Sequence, residues 1–314
     1  LLAVVVFHYS GHCTRYFSDF PFNFTYGKYG VQLFFVISGF VIYFTLDKSK
    51  NWRDFAFSRF GRLFPAYWAT LALLMLNDII LNNNVWWGGY AVNLTMLQKF
   101  LGYLDIDIVF WSLAVELNFY VIMGILFTTR AIQKITTITL IWLLIAGLNA
   151  NIKKHLGMPF LSDLISTYLI LDYAPYFIVG MMFYLIKRGG LKKEQIAIIF
   201  CAFITIYINQ GMQTGIIAII IFTIFALATA GVLNFTISRS TLWLGTISYP
   251  LYLVHRNLGY EALFRLDHFG VSSTLSFTLV LAGSLLLSSI LAYSVEQPAM
   301  KALRSWYQAR KKDL

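Results

Sequence analysis

The sequence predicts an all-α protein, a polytopic transmembrane helical bundle of about ten helices. Three observations carry that expectation. The 314 residues are 59% hydrophobic, 18% aromatic and only 12% charged, whereas water-soluble domains hold about 25% charged residues. Apolar runs approaching the roughly 20 residues that a helix needs to cross a bilayer recur from one end to the other. The basic residues also segregate. With the N-terminal side placed in the cytoplasm, 17 of the 24 lysines and arginines fall on that side, the asymmetry that marks cytoplasmic loops.

The runs follow in order. The first, 1–10, is short because the chain opens at Leu1 within an apolar stretch, so the first helix is expected to begin upstream and to be truncated here. No small-residue cleavage site follows it, which argues against a signal peptide. Runs at 30–46 and 60–81 flank a basic segment holding Lys48, Lys50, Arg53 and Arg59. Runs at 108–128 and 132–149 are parted by Arg130, and 164–186 ends at Lys187 and Arg188. The run 195–208 is short, 214–233 is strongly apolar, 241–258 carries polar residues, and 272–293 completes the series. Residues 1–293 are read as one transmembrane domain and 294–314 as a basic cytoplasmic tail. The net charge of +10 then reflects topology and implies no nucleic-acid partner. Cys13 and Cys201 stand isolated, and no metal-ligand spacing occurs. P-loop, Rossmann-glycine, HExxH and HxxxD patterns are lacking, which sets aside ATPases, dehydrogenases, zinc proteases and acyltransferases of the soluble type.

In that topology several polar residues fall in the outer half of the bilayer. His8, in "VVVFHYSGH", lies near the outer end of the first helix. Ser38, Glu116 and Asp172 each lie about 12 Å below the outer start of their helices, and His255 lies about 21 Å up from the cytoplasmic side. A charged side chain at such depth costs at least about 2.5–3.5 kcal/mol, so these groups are expected to face a polar pocket that opens outward. Each has a plainer reading. His8 alone suits a hydrogen-bonded interior position, Glu116 a structural ion pair, and Asp172, beside Tyr173 and Pro175, the mouth of a helix kink. His155 and His268 are expected in solvated outer loops, and His12 stands one turn beyond His8. On the opposite side, "FAFSRFGRLFPAYW" (55–68) sets Arg59 and Arg62 on one face of a helix. Paired guanidiniums suit a phosphate-bearing ligand, and they equally suit lipid headgroups.

Several segments together carry a family likeness: "LLAVVVFHYS" with His8, "VQLFFVISGFVIYFTL" with Ser38, "SRFGRLFPAYW" with Arg59 and Arg62, "WSLAVELNFY", "YFIVGMMFYL" and "LGTISYPLYLVH" ending in His255. In this order they resemble the membrane-bound acyltransferase-3 family, typified by bacterial O-antigen and exopolysaccharide O-acetyltransferases, over nearly the whole chain. The resemblance implies transfer of an acyl group from cytoplasmic acyl-CoA, commonly acetyl-CoA, to a hydroxyl of a saccharide or lipid-linked glycan, in the bacterial inner membrane with the C-terminus cytoplasmic. No metal is implied. The family's Arg-X10-His motif maps its histidine onto His8, and its arginine falls upstream of Leu1. Arg59 and Arg62 match the element associated with the acyl donor, Glu116 the acidic end of the WSLxvE motif, and His255 a recurrent histidine. Ser38, Trp111, Ser112, Tyr249 and His255 become candidates to line the substrate passage. His8 would act as general base with Glu116 supporting the imidazolium, or would carry the acyl group covalently; both routes stay open. A transporter or flippase of glycan precursors is the alternative, since intramembrane His and Glu also suit proton coupling. The sequence shows none of the inverted repeats that many transporters have.

Overall fold

The computed structural model describes residues 1–16, 20–82, 85–155 and 158–312. Its elements are α1 (Leu2–Tyr16), α2 (Gly30–Lys48), α3 (Trp52–Asn77), α4 (Trp87–Asn93), α5 (Trp111–Thr128), α6 (Ile135–His155), α7 (Pro159–Leu169), α8 (Ala174–Gly189), α9 (Lys193–Thr229), α10 (Arg239–Val254), α11 (Asn257–His268), α12 (Ser273–Leu291) and α13 (Gln297–Lys312). No strand occurs among the described residues. The side chain of His155 lies outside the described residues.

Among the described residues, seven helical stretches are long and apolar enough to cross a membrane, and the protein is an integral membrane helical bundle. The difference from about ten has three local reasons. At 15 and 16 residues, α1 and α10 fall short of a full span. The third reason is α9, which joins the expected runs 195–208 and 214–233 through Gly211, whose φ of 84° is non-helical. A Cβ on Gly215 would lie 3.2 Å from the ring of Tyr207, although eight residues of straight helix span about 12 Å. The chain therefore folds back at Gly211, and α9 is two arms. The opposite departure occurs at 164–186, which divides into α7 and α8. Ile170, at φ 47°, ends α7 in the left-handed region, and Pro175 opens α8 in its first turn.

The chain forms two compact units, one of Leu1–Gly30, Ala56–Ala114 and Ser238–Leu314, the other of Val31–Phe55 and Val115–Ile237. In the first, Val5, Tyr9 and Cys13 recur every four residues on α1 and make one buried stripe. Leu251 of α10, Leu263 of α11 and Val280 of α12 complete that cluster. After α12 a π-helical turn, Ala292–Glu296, leads into α13. The tail expected from its charge alone is thus helical, and its Tyr307 stacks on Phe57 of α3 with ring centres 4.4 Å apart.

In the second unit, α8 is buried on all sides from Ala174 to Tyr184, as an all-apolar helix at the centre of a bundle should be. It meets α2 backbone to backbone through two glycines. A Cβ on Gly39 would lie 2.0 Å from the carbonyl oxygen of Phe177, and one on Gly180 would lie 2.0 Å from that of Val36. Small residues permit this approach, from which membrane helices draw their van der Waals contact. Gly39→Ala is accordingly expected to destabilise the protein by about 1–3 kcal/mol through overpacking, read as a lower Tm in detergent. Gly147→Ala, at a helical glycine with open space beside it, should leave Tm unchanged or raise it.

Candidate active site

His8 stands one residue before Tyr9 on α1, beside the buried stripe. Its Nδ1 lies 3.2 Å from the hydroxyl of Tyr260 on α11, and its ring centre lies 5.2 Å from that of His255. The structure thus brings together two histidines that lie 247 positions apart in the chain. His255 follows the last turn of α10 and is completely buried. Its Nδ1 lies 2.8 Å from the carbonyl oxygen of Tyr252 and 3.1 Å from that of Leu251. Carbonyls only accept, so Nδ1 carries the proton and Nε2 the lone pair. Among the described residues, no protein group hydrogen-bonds that Nε2. The backbone of His255 is held as well: Tyr9 donates its hydroxyl to the His255 carbonyl at 2.6 Å, and Ser284 stands 2.6 Å from the same phenol oxygen.

The turn after His255 is pinned by a buried carboxylate. Asp107 accepts from Arg256 Nη1 at 3.3 Å, from the backbone N–H of Asn257 at 2.9 Å and from that of Val109 at 3.2 Å. Burial pushes its carboxyl above the ordinary carboxylate range, while Arg256 and the two N–H groups pull the other way. One short side chain therefore ties the approach to α5 to the join of α10 and α11. Ser112 adds a second tie, its Oγ 2.7 Å from the hydroxyl of Tyr252. Trp111 opens α5 half-buried.

Glu116 and Ser38 belong to the second unit and meet there. Ser38 Oγ donates to the Glu116 carboxylate, and Tyr120 donates to the same oxygen at 2.7 Å. The pair is buried, at 4% and 6% exposure. Asp172 is exposed. It accepts from Ser166 at 2.7 Å, and its backbone carbonyl takes Gln210 Nε2 at 2.7 Å, so it serves the break between α7 and α8 as the kink reading expected.

The arginine pair divides. Arg62 forms an ion pair with the buried Glu296, delivered by the π-helical turn, and its guanidinium lies 5.4 Å over the ring of Tyr249. Tyr249 in turn donates to the carbonyl of Leu63 at 2.8 Å. Arg59 is half-buried and reaches Ser58 Oγ at 3.1 Å. Arg62 of the expected phosphate-binding pair thus also meets Glu296, and Tyr249 lies with it.

A family model described as an acyltransferase domain matches residues 1–293 of the chain. The chain belongs to the acyltransferase-3 family. No curated protein and no solved structure matches it significantly. The protein is a membrane acyltransferase, which favours group transfer over the transport reading.

Sequence reasoning missed four groups around the sites of this acyltransferase: Tyr260, the Asp107–Arg256 pair, Tyr120 and Glu296. Two signals were present. Arg256 and Tyr260 stand four apart, as do Glu116 and Tyr120, so each pair shares a helix face. Asp107 just ahead of an apolar run is a helix-cap pattern, and it does cap Val109. Glu296 carried no such signal, because a π-helical turn shifts the register of the residues that face inward. Arg62→Ala should strand the Glu296 carboxylate and cost about 1–3 kcal/mol of stability. Adding Glu296→Gln should recover at least half of the lost Tm.

Proposed function

We propose that this acyltransferase moves an acyl group, acetyl in the first instance, from cytoplasmic acyl-CoA to a hydroxyl of a surface or lipid-linked saccharide. It would do so in a bacterial inner membrane, among membrane lipids, with its C-terminus cytoplasmic. The observation that supports this most directly is the half-buried His8 beside the fully buried His255, whose Nε2 lone pair no protein group uses among the described residues.

The chemistry follows from the residues. As the saccharide oxygen attacks the thioester carbonyl, His8 takes the hydroxyl proton. Collapse of the tetrahedral adduct breaks the carbon–sulfur bond, and the imidazolium returns its proton to the departing coenzyme A thiolate. His255 Nε2 is suited to accept a hydrogen bond from a saccharide hydroxyl and so to orient the acceptor. Trp111, Ser112 and Tyr249 are assigned to the lining of the substrate passage. Arg59 is assigned to the donor's phosphates, as is Arg62 to the extent that it can be shared with Glu296. Glu116, held by Ser38 and Tyr120, is assigned a second essential role on the family's motif.

The test uses the protein in proteoliposomes with labelled acetyl-CoA and a saccharide acceptor. Label should appear in the saccharide, and His8→Ala should lower its transfer by about 10²–10⁴, the range for loss of a general base, without altering membrane insertion. Near-normal transfer by His8→Ala overturns the assignment. Glu116→Gln should also abolish transfer, and Arg59→Ala should raise the KM for acetyl-CoA. Label retained on the protein before acceptor is added would select the covalent acyl-histidine route.

A further inference from the structure

We infer that Tyr260 is a positioning residue that sets the tautomer of His8 and so selects Nε2 as the atom that takes the proton. The inference rests on the reading of His8 as the base, and its own support is a count of protons. The Tyr260 hydroxyl lies 3.2 Å from His8 Nδ1 and 3.1 Å from the backbone carbonyl oxygen of His8. A phenol has one proton to donate, and a carbonyl has none. Both contacts are satisfied together in only one arrangement: Tyr260 donates to the carbonyl, and His8 donates its Nδ1–H to the phenol oxygen. The reverse assignment would leave two oxygen lone pairs facing each other at 3.1 Å. Nδ1 therefore holds the proton and Nε2 the lone pair. Which ring nitrogen is free is decided by the hydrogen bond that the other makes.

The phenol is itself held in place. Its ring lies 4.3 Å from that of His12, one turn along α1 from His8, and Arg256 places its guanidinium 5.1 Å from the same ring. Arg256 is anchored by Asp107, which also takes the N–H of Asn257 at the start of α11. The order of support runs from Asp107 to Arg256 to Tyr260 to His8. A neutral phenol thus does for His8 what a backbone carbonyl does for His255, and both imidazoles present Nε2 as the basic atom.

The test is nitrogen magnetic resonance on ¹⁵N-histidine-labelled protein in nanodiscs, with the His8 signals assigned by their loss in His8→Ala. Wild type is expected to show His8 protonated at Nδ1. Tyr260→Phe keeps the ring that packs on His12 and Arg256 and removes only the hydroxyl; it should shift His8 toward the Nε2–H form with Tm near wild type. Its transfer rate should fall by about tenfold or more, below the roughly 10⁴-fold loss that a misset tautomer brings in a serine-protease triad, with KM for acetyl-CoA within twofold of wild type. Wild-type His8 protonated at Nε2, or an unchanged tautomer in Tyr260→Phe, overturns the inference; the wild-type spectrum decides even if the variant folds poorly. A tautomer that responds as expected, with transfer intact in His8→Ala, removes the base assignment and leaves the tautomer lock standing.

Discussion

A polar side chain at bilayer depth must find its partner inside the protein, because hydrocarbon offers none. That constraint explains most of the buried polar chemistry here. Ser38 and Tyr120 both donate to Glu116. Asp107 collects a guanidinium and two backbone N–H groups. Glu296 has Arg62, and the backbone of His255 has Tyr9. The Nε2 of His255 is one of several buried polar atoms with no hydrogen-bond partner among the described residues, and its ring is the one that lies beside His8. A nitrogen left in that state suits a ligand's hydroxyl, whose arrival would supply the missing hydrogen bond.

The partners are supplied largely where helices break. An unbroken helix uses nearly all its carbonyls internally, whereas its last turn leaves several available. At the end of α10 the carbonyls of Leu251 and Tyr252 take the His255 ring. At the α7–α8 break the carbonyl of Asp172 takes Gln210. The π-helical turn after α12 delivers Glu296 to Arg62. His8, Ser38, Arg62 and Glu116 themselves sit within regular helices, while these partners come from irregular backbone, which a membrane tolerates only where it is packed against protein or lines a cavity.

Much of this was legible from residue type and spacing. The apolar runs located the helices, and the polar interruptions singled out His8, Ser38, Glu116 and His255. The structure pairs His8 with His255 and Ser38 with Glu116. The reading fell short where one residue's role depends on a distant segment. Three-residue spacing shows only that Arg62 shares a helix face with Arg59; its ion-pair partner Glu296 is 234 positions away. Tyr260 falls between the apolar runs 241–258 and 272–293, and the structure has the helix α11 there.

By itself the sequence determined that the chain lives in lipid, that it is helical, and where its ionisable groups interrupt the apolar runs. These are local quantities, summed over a window of residues, and transfer free energy depends on composition more than on arrangement. Tertiary structure alone decided which polar groups share a hydrogen bond, which nitrogen of each imidazole holds its proton, and which carboxylate Arg62 meets. Those outcomes depend on distances of about 3 Å between remote segments, and composition says nothing about such distances.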